Sequence, residues 1–407
     1  MNYKNIILKG IPSYCTGNGL VIESLLRLYK SKNKYLLIEA TANQVNQYGG
    51  YSGKTPADFF EYVTNLAKLN DFDNNKLILG GDHLGPLKWQ SEDEYSALNK
   101  SEDLVRLFVE AGYKKIHLDT SMKVKSDEGK LTDEVIATRG LRLFKACEEE
   151  ARKKGSEVCY VIGSEVPLPG GESSCDFLEP TTPEAAKNTI NTYKRIFLSA
   201  GVTEDEWNKK ILALVVQPGI EFLKNKVIRY DRVKAKKLMS MRLPNDICYE
   251  GHSTDYQTSE DLKNLVHDGV KILKVGPELT FALNSSLIFL EKIEDEFGFE
   301  KKSNFNTVLM EELIKNTQYW NRYYDENNKY DFKFSYLDRS RYCMNSVNVE
   351  RALGILRNNI NSIQREDFIY KFFTLSFGIE NQKGRLFEAV IDKFMSKVVE
   401  KYENAFE

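Results

Sequence analysis

The sequence is short of the features that would assign it outright. Its six cysteines, Cys15, Cys147, Cys159, Cys175, Cys248 and Cys343, contain no Cys-x-x-Cys pair. That excludes a zinc knuckle of this spacing and fits reduced, mostly buried thiols better than a disulfide frame. No apolar run has membrane-spanning length, and the stretch before Lys9 is too short for a secretory core, so a cytoplasmic chain without a membrane partner is expected. A net charge of -2 argues against a uniformly basic nucleic-acid binder. No Gly-x-Gly-x-x-Gly follows the first apolar run, and no nucleotide-type phosphate loop is present, which weakens dinucleotide and kinase readings. Histidine is scarce: any imidazole site must draw on the four at 83, 117, 252 and 267.

What is present is rhythm. Short β-branched or apolar runs alternate with helical patterns through roughly the first 290 residues, the order that builds parallel βαβ units. Eight runs qualify as strands: Leu8–Tyr14, Tyr35–Ala40, Lys76–Gly81, Lys115–Asp119, Val158–Gly163, Leu212–Gln217, Asp246–Gly251 and Lys271–Val275. Thr55-Pro56 with Asp58, Thr182-Pro183, and Thr258 with Asp261 place a capping hydroxyl ahead of a first helical turn. Eight strand–helix pairs predict a closed (β/α)8 TIM barrel over residues 1–297, the catalytic and metal-binding part. Over residues 298–407 the rhythm stops, and Val349–Ile360 and Phe368–Val399 read as amphipathic helices of a C-terminal extension packed on the barrel.

In such a barrel chemistry sits at the C-terminal strand ends. The sequence puts Ser13, Cys15, Glu39, Asp82, His83, His117, Asp119, Glu165, Gln217, His252, Lys274 and Gly276 there. Polar groups after apolar strands cost free energy when buried without partners, so their convergence points to a ligand. His83 and His252 each follow a strand directly, in Gly80-Gly81-Asp82-His83 and Glu250-Gly251-His252. They are expected to hold a divalent metal, zinc foremost, with manganese, cobalt or nickel also suited to imidazole. His267, inside a helix, is read as structural; His117, inside the fourth strand ahead of Asp119, is read first as structural and second as reaching the site. Asp82 is expected to exchange a proton with a substrate hydroxyl, and Glu165 to act as base, ligand or hydrogen-bond anchor.

At these residues the chain resembles a known family. The matching segments are Gly10-Ile11-Pro12-Ser13, Ile38 to Gln47, Gly80 to Pro86, His117-Leu118-Asp119-Thr120-Ser121-Met122, Ser164-Glu165-Val166-Pro167, Gln217-Pro218-Gly219, His252-Ser253-Thr254-Asp255-Tyr256-Gln257-Thr258 and Lys274-Val275-Gly276-Pro277, continuing faintly into Asp338-Arg339-Ser340-Arg341-Tyr342. They resemble the large subunit of class II tagatose-bisphosphate aldolase, usually described as non-catalytic, and its single-chain relatives that act as ketose-phosphate 4-epimerases. The resemblance implies a class II aldolase-type barrel in which Asp82 and Glu165 are catalytic and His83 and His252 are metal ligands. Gln217 stands where catalytic aldolases carry a further histidine, as a weaker ligand. Ser253-Thr254-Asp255 replaces the glycine-rich turn that cradles a C1 phosphate, which argues against a 1,6-bisphosphate substrate. Glu39, Asn43, Asp119, Ser253, Asp255 and Lys274 are expected to meet the substrate, and Arg339 and Arg341 to clasp its C6 phosphate.

The function so implied is a metal-dependent 4-epimerase of tagatose 6-phosphate and fructose 6-phosphate, which cleaves C3–C4 and re-adds to the aldehyde turned over. The alternatives are a stabilising subunit partnered with a smaller class II aldolase subunit, or an aldolase in its own right. Homo-oligomerisation is compatible with either.

Overall fold

A computed structural model describes residues 2–164, 178–244, 247–321, 323–324, 331–364, 368–379 and 384–407. Glu165, Cys175 and Asp246 lie outside the described residues. Contacts divide the chain into two compact units, Met1–Gly17 with Lys34–Val275 and Lys401–Glu407, and Asn18–Asn33 with Gly276–Glu400. The helix Pro277–Phe297, expected to end the barrel part, falls in the second unit.

In the first unit the strands are β1 Ile11–Cys15, β2 Leu36–Thr41, β3 Leu77–Leu84, β4 Lys115–Leu118, β5 Cys159–Ile162, β6 Ile211–Val216, β7 Glu221–Phe222, β8 Val227–Ile228, β9 Cys248–Gly251 and β10 Val270–Val275. Eight close into a parallel barrel in the order β1-β10-β9-β6-β5-β4-β3-β2, while β7 and β8 form a small antiparallel ribbon. Closure is the pairing of β1 with β10, Ile11 opposite Ile272 and Ser13 opposite Lys274. Ile11, Leu37, Ile78, Val161, Ala213, Val215 and Ile272 form the apolar filling. Side chains at this depth make the barrel a packed core and leave one end for chemistry.

The expected helix starts are present: Thr55 and Asp58, and Thr258 and Asp261, form reciprocal capping boxes, and Thr182 caps Pro183–Ser199. The expected strand Leu8–Tyr14 is corrected at its start. Asn2 accepts from Asn5 N and nucleates a short helix, Tyr3–Ile7, so extended chain begins only at Ile11. Gly10 makes the reversal at φ +105, and a Cβ there would lie 2.4 Å from the Phe406 ring.

In the second unit Arg27 of the helix Gly19–Lys30 is held bidentately by Asp392 at 2.7 Å for both bonds. The single amphipathic run expected over Phe368–Val399 is two helices, Phe368–Phe377 and Leu386–Glu403. Gly378 at φ +64 ends the first, because helix cannot continue through a left-handed residue.

Candidate metal centre

The strand β3 departs from regular pairing where the site begins. Against β4, Gly81 pairs with Ile116 and Leu84 with Leu118, so β3 spends three steps where β4 spends two. This bulge breaks the alternation that would send Asp82 and His83 to opposite faces. His83 adopts φ +48 and Ser253, just after β9, φ +52. Left-handed conformations at non-glycine residues cost about 1–3 kcal/mol each and tend to mark functional sites.

Asp82, His83, His117 and His252 converge, with one potential ligand atom from each inside a 4.8 Å span. The imidazole centroids are 4.9–5.4 Å apart. Each ring has one nitrogen already committed. His83 Nδ1 is 2.8 Å from Asp119 Oδ2, His117 Nε2 is 2.9 Å from the Gly163 carbonyl, and His252 Nε2 is 2.9 Å from Glu250 Oε1. All three partners only accept, so those nitrogens carry protons; in the neutral ring the opposite nitrogen keeps its lone pair, and that of His117, Nδ1, accepts the His83 backbone N–H at 3.3 Å. That is the outer support histidine ligands have around a metal. His117 Nδ1 and Asp82 Oδ1 stand 3.0 Å apart with a proton or a cation to share. The residues therefore fit a divalent ion.

Beneath this cluster lies a ring of ions. Lys115 Nζ is 2.6 Å from Glu39 Oε1 and 2.8 Å from Glu250 Oε2, and Lys274 Nζ is 3.1 Å from Glu39 Oε2 and 3.5 Å from Glu250 Oε1. Lys274 also pairs with Asp82. Two ammonium groups face two carboxylates, so charge balances in the ring before Asp82 is counted.

Burial pushes the Asp82 carboxyl up, but His83, Lys274 and the other neighbours outweigh it and hold the group well below the usual range. Glu250 is held low in the same way by Lys115 and Lys274. Burial pulls Lys274 down, yet Asp82, Cys15, Glu39 and Glu250 carry it well above its ordinary value. His252 falls to about 3, from burial and then the Lys274 charge, and so stays neutral. His83 moves upward because Asp82 and Asp119 overcome burial.

Of the residues expected from sequence, Asp82, His83, His252 and Lys274 meet at one point. His117, read first as structural, joins them; its partner, the Gly163 carbonyl just after β5, is 46 residues away and left no local signal. Asp119 is spent on His83 and on Ser121, and Glu39 on Ser13, Lys115 and Lys274. Gln217 does not offer its oxygen as the expected ligand: Oε1 accepts from Gly219 N at 2.7 Å and Ile220 N at 2.9 Å, holding the turn after β6. Asn43 is exposed, and Ser253 and Asp255 are buried in the loop after β9. Arg339 and Arg341 belong to the second unit. His267 ends its helix exposed beside Asp268. Lys115 and Glu250 were missed, though a charged residue inside an apolar strand run signals a buried partner.

A closed parallel barrel with imidazoles and a carboxylate gathered at its C-terminal strand ends defines a TIM barrel of the class II aldolase type. Residues 2–407 match the family described as D-tagatose-1,6-bisphosphate aldolase subunit GatZ/KbaZ-like. The chain belongs to that family. It is similar to the D-tagatose-1,6-bisphosphate aldolase subunit GatZ of Escherichia coli (strain SMS-3-5 / SECEC), 40% identical over 360 residues, covering 87% of this chain and 85% of that one. The Shigella boydii protein of the same name matches with the same identity and coverage. A solved structure described as a "probable tagatose 6 phosphate kinase from Sinorhizobium meliloti 1021" superposes with a TM-score of 0.84 at 32% identity, covering 97% of this chain and all of that one.

Proposed function

We propose that this chain serves as the large subunit of a tagatose-1,6-bisphosphate aldolase assembly, beside a smaller class II aldolase subunit, and that its own barrel holds a divalent ion, zinc first, on His83, His117 and His252 with Asp82. Family membership supports the subunit role. The metal site is supported by one observation above all: three rings, each with one nitrogen on an acceptor, bring one potential ligand atom apiece, together with one from Asp82, within 4.8 Å of one another. When bound, the ion would supply Lewis-acid polarisation to a ketose oxygen. Glu250, Asp119 and the Gly163 carbonyl orient the rings, and the buried ring of ions keeps Glu250 anionic.

A second reading, 4-epimerisation of fructose 6-phosphate and tagatose 6-phosphate by this chain alone, draws on the same place. Asp82 is ionised, buried and next to a protonated Lys274, so a carboxylate that accepts a hydroxyl proton and an ammonium that donates one stand together. Phosphoryl transfer, suggested by the name of the Sinorhizobium protein, has no glycine loop here to receive a nucleotide.

The test is the full chain loaded with zinc, assayed alone and with the small aldolase subunit. The subunit reading expects a complex and a longer half-life of bisphosphate cleavage by the partner; no association and no change in half-life would reject it. Interconversion of the two 6-phosphates by the chain alone would establish the epimerase, and its absence with metal bound would reject that reading.

A further inference from the structure

The loop that carries His252 out of β9 is held from a segment remote in sequence. Tyr402 belongs to Lys401–Glu407, which is grouped with the barrel unit. Its side chain is fully buried, and its Oη lies 2.7 Å from the Thr254 carbonyl oxygen and 3.0 Å from Thr254 Oγ1. Thr254 is fully buried as well, and its Oγ1 donates to the Lys274 carbonyl at 2.5 Å. The threonine proton is thus spent on Lys274, so the phenol is the donor toward Thr254, with the carbonyl and hydroxyl oxygens as its acceptors. One relay runs from Tyr402 through Thr254 to Lys274, the residue whose ammonium pairs with Asp82.

The relay meets the chain beside a strained residue. Ser253, between His252 and Thr254, sits at φ +52, a conformation that persists only where the surroundings fix it. Within the loop the Thr254 carbonyl also receives Gln257 N, at 3.3 Å, a longer bond than the one from the phenol. The far end of the loop is fixed separately: Gln257 accepts from Tyr230 N at 3.0 Å and donates to the Ile228 carbonyl at 2.9 Å. The segment bearing the phenol is itself anchored to the barrel unit. Glu403 pairs with Lys34 at 2.8 Å, and the Phe406 ring occupies the space a Cβ on Gly10 would need.

We propose that Tyr402 is a positioning residue for the metal centre: its phenol holds the loop after β9 so that the His252 imidazole is presented to the ion. The inference rests on the metal site proposed above and adds to it a residue 148 positions from the threonine it holds. Removing the phenol oxygen takes from the Thr254 carbonyl its shorter bond in a place sealed from water. Ser253 is then free to relax toward an ordinary backbone conformation, and the ring that Glu250 orients loses its fixed approach to the ion.

The experiment uses the full chain, stripped of metal and titrated with zinc by calorimetry, with cobalt(II) absorption as the readout of ligand geometry. Amide hydrogen exchange over residues 252–257 is followed in the metal-free chain. Tyr113→Phe is the matched control: it too removes a buried phenol oxygen that donates to a carbonyl, that of Pro56 at 3.3 Å, but outside the loop after β9. Tyr402→Phe should lose zinc affinity tenfold or more, shift the cobalt bands and speed exchange at 252–257, and Tyr113→Phe should do none of these. Thr254→Val, which breaks the relay at its middle, should repeat the Tyr402→Phe result, whereas Thr254→Ser, which keeps the hydroxyl, should retain the parent's affinity. Parent-like zinc affinity and cobalt bands in both Tyr402→Phe and Thr254→Val overturn the proposal, as does an equal loss of affinity in Tyr113→Phe. A parent chain that binds no zinc, while Tyr402→Phe still speeds exchange at 252–257, rejects the metal site and upholds the hold of Tyr402 on the loop.

Discussion

Replacing Lys115 by methionine isolates the ring beneath the metal centre. Methionine keeps the length and removes the charge, leaving Glu39 and Glu250 with Lys274 as their shared cation. Lys115, Glu39 and Glu250 all have fully buried side chains, and both Lys115 contacts are under 3 Å. Removing one member of a buried ion pair costs about 3–5 kcal/mol, since the abandoned carboxylate stays desolvated. For a barrel of this size each kcal/mol moves the midpoint by about 2–4 °C, so a fall of roughly 10 °C is expected. Glu250 would then be less firmly anionic, and because it orients His252, metal affinity should fall about tenfold or more. Adding Glu39→Gln to Lys115→Met restores the ring's balance and should recover part of the loss. The assays are urea unfolding of the single and double variants and zinc titration. A single variant that loses under about 1 kcal/mol, or a double variant that loses the sum of both changes, would refute the reasoning.

Gln217→Ala should destabilise the turn at Gly219 and Ile220 yet leave zinc stoichiometry intact, as metal analysis after dialysis will check. Loss of the metal would return Gln217 to the ligand set. Asp338→Asn should flatten the pH dependence of stability in acid. The Asp338 carboxyl sits at about 6 folded, against about 3.9 unfolded, so the folded chain holds a proton the unfolded chain has released. The contribution is fully present below about pH 4 and lost as pH rises through about 6, a span worth about 3 kcal/mol. Urea unfolding across that range should show the slope in the parent chain and not in the variant; equal slopes would contradict the assignment.

The barrel could be read from sequence because its signal is local. Strand runs are continuous and apolar, and Thr55, Thr182 and Thr258 declare their helices through contacts three residues away. The site was readable where two functional residues adjoin, at Asp82-His83 and at Glu250-Gly251-His252. It was not readable where function depends on pairing across strands. His117 meets Asp82 and the Gly163 carbonyl 35 and 46 residues away, and Asp119 and Glu39 are consumed by partners 36 and 76 residues distant. Gln217 looked like a ligand by position, and only the turn it holds shows where its oxygen goes. The break at Gly378 was hidden because the apolar pattern runs on through it, while the conformation of one glycine decides the matter.

The central claim is a metal centre on three imidazoles, and His117→Ala tests it most directly, because His117 is the proposed ligand that its place inside a strand favours least. Zinc binding to the metal-stripped full chain, measured by calorimetric titration and by metal content after dialysis, should show one equivalent in the parent. The affinity should fall a hundredfold or more in His117→Ala, as in His83→Ala and His252→Ala, with the barrel still folded. Full zinc retention in His117→Ala alone would reduce the site to two histidines and Asp82, and full retention in all three variants would contradict the account.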